Sequence, residues 1–286
     1  GMSGNVVQPW RKILYIQQDY PDNYVDEGFL KGLVRNANVR PKRYWDVVRA
    51  TAPAVHQVCL VALFGLLWVK LERQEFDHLS LVALVECVVF VVLGDMFLVQ
   101  HSRSKALTSA PAGRMGAVAV LASLGTLSPV LCSLSLSWSS DTLYVMVVLL
   151  VMANLITSDY GSSRCEAGKV LPLPFNAAVF ASVVLASRLQ SSLEAFVLVL
   201  FAIECFAFFP TWAARGRAVI GDIFTIGLVA GVAGGLWVTV SSVAYCFVVV
   251  CAFMALVVPA AFVSAMRYKD AIQGPWDIPR IKQRDI

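Results

Sequence analysis

Charge is what this sequence has least of: Asp, Glu, Lys and Arg together make up 15% of its 286 residues. A soluble domain of this length carries roughly 25%. Other absences exclude whole classes of chemistry. There is no D-x-D, no pair of glutamates seven residues apart, no H-x-x-x-x-D and no D-H-H-C. No glycine loop of the G-x-x-x-x-G-K or G-x-G-x-x-G type exists to cradle phosphates. All three histidines, His56, His78 and His101, precede residue 102, so Ser187 and Ser192 have no histidine near them in sequence to act as a base. The seven cysteines show no C-x-x-C spacing and mostly sit in apolar runs, where cysteine is a small apolar side chain rather than a metal or redox ligand. No N-x-Ser/Thr acceptor marks a luminal loop.

What is present is hydrophobic length. Apolar residues make up 58% of the chain, and its mean hydropathy is +0.70. A helical span needs about 17–25 predominantly apolar residues. On that measure the fold class is all-α, a polytopic membrane protein of about eight spans near 51–69, 79–98, 114–134, 142–157, 174–190, 193–210, 219–240 and 243–266. Residues 1–49 form a polar N-terminal segment with short amphipathic elements, 50–266 the transmembrane domain, and 267–286 a C-terminal tail. No apolar run precedes Thr51, so the first span is expected to insert itself. Tyr44 and Trp45 beside Lys42, Arg43 and Arg49 read as an interfacial belt ahead of it.

Basic residues set the orientation. Twenty of the 23 fall in the two tails and in alternate connections, and only Lys70, Arg73 and Arg188 fall on the opposite side. The positive-inside rule then makes both termini cytosolic, which an even number of spans requires.

Within the spans, 173–196 is patterned beyond what an anchor needs. Ala178, Ser182 and Ala186 recur every fourth residue between a polar Asn176 and an Arg188, giving one helix face small enough for close packing in lipid. Gly227, Gly231 and Gly235 make two consecutive G-x-x-x-G units, also a packing signature, although glycine is common in membrane helices anyway. Glu86, Asp95 and Glu204 are ionisable groups inside apolar runs, where a charge costs about 2.5–3.5 kcal/mol even on the lenient scale. They read either as interhelical hydrogen-bonding groups or as the pathway of a small-molecule or lipid transporter. A transferase site within the membrane is a third reading. Asn176, His56 and Gln57 fall at the cytosolic membrane boundary, where polar residues are normally solvated.

Several segments together resemble the PIG-C family. They are Trp10 with the WRKILY run, Pro21–Asp26 (PDNYVD), Tyr44-Trp45, Ser128–Leu131 (SPVL), Asp141–Met146 (DTLYVM) and Asp159–Gly161 (DYG). The series continues with 175–189, Phe201–Ile203 (FAI), Gly234-Gly235 and Gly274–Asp277 (GPWD, with Trp276). The resemblance runs in order along nearly the whole chain. It implies a multi-spanning endoplasmic-reticulum subunit of the complex that transfers N-acetylglucosamine from UDP-N-acetylglucosamine to phosphatidylinositol on the cytosolic face, the first step of glycosylphosphatidylinositol-anchor synthesis. It further implies that sugar-nucleotide chemistry resides in a separate protein, PIG-A, so that this chain holds no cofactor and no catalytic residue. PIG-H, PIG-P, PIG-Q and PIG-Y are the other partners implied. Asn176, Arg188, the PDNYVD and GPWD segments, the three intramembrane acids and the three glycines are then candidate contacts to lipid or to other subunits.

Overall fold

The computed structural model describes residues 10–11, 13, 15–18, 20–21, 23–25, 28, 33–36, 42–77, 80, 110–133, 138–160, 171–210, 222–270 and 272–273. Among the described residues the regular structure is helical except for one two-residue antiparallel ladder, and the chain divides into two compact units, 43–261 and the joined ends 1–42 with 262–286.

The helical unit begins with α1, Tyr44–Glu72, whose 29 residues span about 43 Å. The belt residues Tyr44 and Trp45 are therefore its first turn. There follow α2 (Ala110–Leu131), α3 (Ser140–Thr157), α4 (Pro172–Ala186) and α5 (Ser192–Ile203). One wide π-type turn, Glu204–Phe208, extends α5. Next come α6 (Asp222–Thr239), α7 (Ser241–Ala252), a second π-type turn at Phe253–Val257, and α8 (Val258–Ala265). Four helical segments are long and apolar enough to cross a membrane: Tyr44–Glu72, Ser140–Thr157, Asp222–Thr239 and Ser241–Tyr268. The expected second span, 79–98, lies outside the described residues but for Ser80.

Local chemistry explains the helix ends. Ser139 starts α3, its hydroxyl accepting from the Thr142 amide at 3.3 Å, with Asp141 in the first turn opposing the helix dipole. Pro172 sits at the start of α4, where a missing N–H costs nothing. Ser191 and Glu194 cap α5 reciprocally: Ser191 Oγ accepts from the Leu193 amide, and Glu194 Oε2 accepts from the Ser191 amide, both at 3.3 Å.

The hub is α1, rather than the 173–196 stretch that the residue pattern singles out. One face of α1 (Leu60, Phe64, Leu67, Leu71) enters a core with Leu143 of α3, Ala178, Leu185 and Ala186 of α4, and Val197, Leu198 and Phe206 around α5. Another face (Val55, Cys59) enters a second core with Val232 and Leu236 of α6 and Ala244, Phe247 and Cys251 of α7. Ala178, Ser182 and Ala186 are all buried, so the small face of α4 is a packing face.

In the other unit, Val34–Arg35 (β1) pairs antiparallel with Ile272–Gln273 (β2), Val34 opposite Gln273 and Arg35 opposite Ile272. Asn36 turns the chain at φ 55°, a left-handed conformation that asparagine tolerates. Its side-chain amide donates to Asp270 at 3.2 Å, and Arg35 lies 3.7 Å from the same carboxylate. The two terminal segments thus share one unit.

Candidate functional site

Two polar clusters lie at different levels of α1. The first starts from adjacent residues, His56 and Gln57, both buried. Gln57 Nε2 donates to Asn154 Oδ1 on α3 at 2.8 Å, and Asn154 Nδ2 donates to the Pro174 carbonyl in the first turn of α4, also at 2.8 Å. That carbonyl accepts a side-chain donor, and one amide joins three helices. His56 Nε2 lies 2.9 Å from Thr225 Oγ1 on α6, and its ring meets Phe209 and Phe224 edge-on at 5.9 and 5.6 Å. Neither residue is a solvated boundary group as position alone suggests. Each is held because a buried polar group without a partner costs about 1–3 kcal/mol. Arg49, two turns earlier, reaches Asp222 at 3.2 Å through exposed side chains. At the end of α3, Tyr160 OH donates to the Leu155 carbonyl, and burial raises its phenol above the ordinary value despite an opposing bond from Ser158.

The second cluster surrounds the C-terminal end of α1. Glu194 is buried, and its Oε1 accepts from Gln74 Nε2 at 3.1 Å while its other oxygen caps α5. Tyr144 OH donates to Glu72 at 3.5 Å, and its ring meets Trp68 edge-on at 5.7 Å. Arg188, in the turn between α4 and α5, donates through a terminal nitrogen to the Trp138 carbonyl, joining that turn to the entry of α3. Ser128 of α2 donates to the Ser192 carbonyl, so α2 joins the same end.

The candidates named from sequence are distributed rather than gathered. Arg188 belongs to the second cluster. Asn176 is exposed on α4, and Glu204 is half-buried at the first position of the π-type turn. Of the three glycines, a Cβ on Gly235 would come within 2.7 Å of Leu66 Cδ2 on α1, whereas positions 227 and 231 open onto free space. Glu86, Asp95 and Trp276 lie outside the described residues. Asn154 and Glu194 are the members that sequence reasoning missed, and Gln57 is one it named but read as solvated. Glu194 carried a signal, the S-x-x-E capping pattern at Ser191, whereas Asn154 is one amide in an apolar run with nothing to announce its partners.

The geometry is that of a helical frame whose buried polar groups bind helices to one another. The chain matches the family model described as phosphatidylinositol N-acetylglucosaminyltransferase, GPI2, over residues 10–277. It is 34% identical over 282 residues to the C-type member of the phosphatidylinositol N-acetylglucosaminyltransferase subunits of Homo sapiens, covering 96% of this chain and 93% of that protein. It is 32% identical to the GPI2 subunit of the same enzyme from Schizosaccharomyces pombe (95% and 86% covered), and 33% to a Dictyostelium discoideum protein that bears the name of the human relative (94% and 78%). No solved structure matches. A match spanning both polar clusters and both strands of the terminal ladder shows that this chain belongs to the GPI2 family of phosphatidylinositol N-acetylglucosaminyltransferase subunits.

Proposed function

We propose that this chain is the non-catalytic membrane subunit of the complex that moves N-acetylglucosamine from UDP-N-acetylglucosamine to phosphatidylinositol at the cytosolic face of the endoplasmic reticulum. The observation that carries the proposal is the family match over residues 10–277, together with relatives named as subunits of that transferase over almost the full chain. Its physical role follows from the reaction: the donor is dissolved in water and the acceptor in a bilayer. Holding the catalytic protein against the membrane removes part of the entropic barrier to their encounter.

In this reading eight helices cross the membrane and both termini are cytosolic. The pairing of Val34–Arg35 with Ile272–Gln273 supports it, because chain ends that pair must emerge on one side, which takes an even number of crossings. A PIG-A-like catalytic protein and PIG-H-, PIG-P-, PIG-Q- and PIG-Y-like subunits are the partners, and the donor sugar nucleotide binds the catalytic one. Scaffolding fits a frame whose described buried amides and acid are engaged in joining helices. Nothing in the relatives favours a transporter.

The test is purification in mild detergent, with activity assayed on the chain alone and on the recovered assembly. A glycosyltransferase-fold partner should co-purify, and the sugar should move only when it is present. Transfer by the isolated chain would end the scaffold reading.

A further inference from the structure

The charge of this protein is not evenly spread. Between 43 and 261 there are twelve basic and twelve acidic residues, so the helical unit is neutral. The joined ends, 1–42 and 262–286, hold eleven basic and seven acidic residues, so the whole net charge of +4 sits there. Asp270 in this unit is already engaged by Arg35 and Asn36. Among the described residues Arg11, Arg267 and Lys269 are exposed and make no ion pair, and Lys42 lies 5.7 Å over the Phe262 ring.

Exposed apolar side chains accompany these cations. Tyr268, 82% exposed, stands between Arg267 and Lys269 at the end of the apolar helix Ser241–Tyr268. Tyr15 is 86% exposed and Ile16 51%, four and five residues after Arg11. Lys42 and Arg43 immediately precede the first helix, Tyr44–Glu72. Aromatic rings with one polar edge favour the headgroup layer, and cations beside them meet lipid phosphates. An acidic protein partner would not require Lys42, Arg267, Tyr268 and Lys269 to stand within a few residues of where apolar helices begin or end. A lipid surface does.

We propose that the paired chain ends form a surface that binds anionic phospholipid headgroups through charge, using Arg11, Lys42, Arg267 and Lys269 with Tyr15, Ile16 and Tyr268. The β1–β2 ladder and the Lys42–Phe262 contact join the two chain ends in one compact unit, so that cations separated by more than two hundred residues act on the same patch of lipid. The surface would hold the protein against an anionic leaflet and raise the local proportion of acidic lipid, the class to which the acceptor belongs. The identity of the leaflet, cytosolic, and the link to the acceptor rest on the proposed function. The lipid preference is tested without any partner or transferase activity, so each can fail by itself.

The experiment uses the full chain in nanodiscs of phosphatidylcholine alone, or with increasing phosphatidylserine or phosphatidylinositol. Amide hydrogen exchange is followed in the described residues of 10–36 and in 262–273. Either anionic lipid should slow exchange in these segments to a similar extent, and added salt should reverse the effect. Arg11→Gln, Lys42→Gln, Arg267→Gln and Lys269→Gln should each weaken the preference about fivefold, whereas Arg73→Gln, in the neutral unit, should leave it unchanged. The salt reversal on the unaltered chain gives the same answer should a variant fold poorly. Equal exchange in neutral and anionic discs would overturn the proposal. So would a response to phosphatidylinositol alone, which would indicate a headgroup pocket, or protection that needs added partner subunits in neutral discs, which would indicate protein docking.

Discussion

α4 and α6 are both glycine- or alanine-rich apolar helices, yet the protein treats them differently. Eight of the fifteen residues of α4 are buried, against two, Val232 and Leu236, of the eighteen in α6. Hydropathy does not separate them, because a lipid tail and a protein core are equally apolar surroundings. What separates them is the side chain presented to a neighbour. α4 offers Ala177, Ala178, Ala181, Ser182 and Ala186, all buried, and Ala178 and Ala186 lie in the core shared with α1, α3 and α5. α6 meets α1 and α7 along Val232, Leu236 and Gly235, while Ile223, Ile226, Trp237 and Val238 face outward. Four of the five buried residues named on α4 are alanines, so that small face can be crowded by added atoms but hardly emptied. The exposed face of α6 can be neither.

The largest effect should come from the amide that brings α4 to α1. Asn154→Leu leaves the buried Gln57 amide without its partner, a loss of about 1–3 kcal/mol, and also removes the side-chain hydrogen bond that the Pro174 carbonyl accepts beside its helix bond. The detergent-solubilised protein should lose a large share of its thermal stability. Replacing Gln57 by leucine as well should recover part of that loss, because one orphaned donor disappears with it. A double variant as unstable as the sum of the singles would show that the bond does not couple the helices.

Crowding α4 comes next. Ala186 is fully buried, so Ala186→Leu should cost about 1–3 kcal/mol through overpacking. Val249 on α7 is 66% exposed, and Val249→Leu should change stability by less than about 0.5 kcal/mol. Comparable melting temperatures for the two variants would erase the distinction between a packed helix and one facing lipid. At the capped start of α5, Glu194→Gln keeps the shape but weakens acceptance from Gln74 and from the Ser191 amide. About 1 kcal/mol is expected, read by the same melt.

The elements of this comparison were unequally legible in the sequence. Apolar runs mark helices because a span must satisfy its backbone internally, and helices stand at seven of the eight expected spans. The small face of α4 was legible for the same local reason: residues four apart share a face. The hub role of α1 was not, since both of its faces are apolar and no periodicity says which neighbours they meet. The Gln57–Asn154 bond joins residues 97 apart, and the β1–β2 ladder joins residues more than two hundred apart, so neither leaves a pattern within any short window. Position near a span end made His56 and Gln57 look solvated, while tertiary packing covers both. The full-length family resemblance was legible because many short segments in order do not depend on knowing contacts.

The smallest expected effect on the isolated chain is also the most discriminating. The two G-x-x-x-G units predict close packing along the whole of one stripe, but the structure divides that stripe in two. A Cβ on Gly235 would come within 2.7 Å of Leu66 Cδ2 on α1, and the rest of a leucine side chain would have to displace more of that contact, so Gly235→Leu should destabilise the chain itself by about 1–3 kcal/mol. Gly231 has nothing within 4 Å of the same position, so Gly231→Leu should leave the stability of the purified chain, read by its thermal melt, within about 0.5 kcal/mol of the original. If a helix of another subunit lies along the open part of the stripe, Gly231→Leu should instead lower the yield of co-purified partners, with the chain still folded. Unchanged stability with unchanged recovery would assign Gly231 to lipid, and the packing signature would then hold only at Gly235.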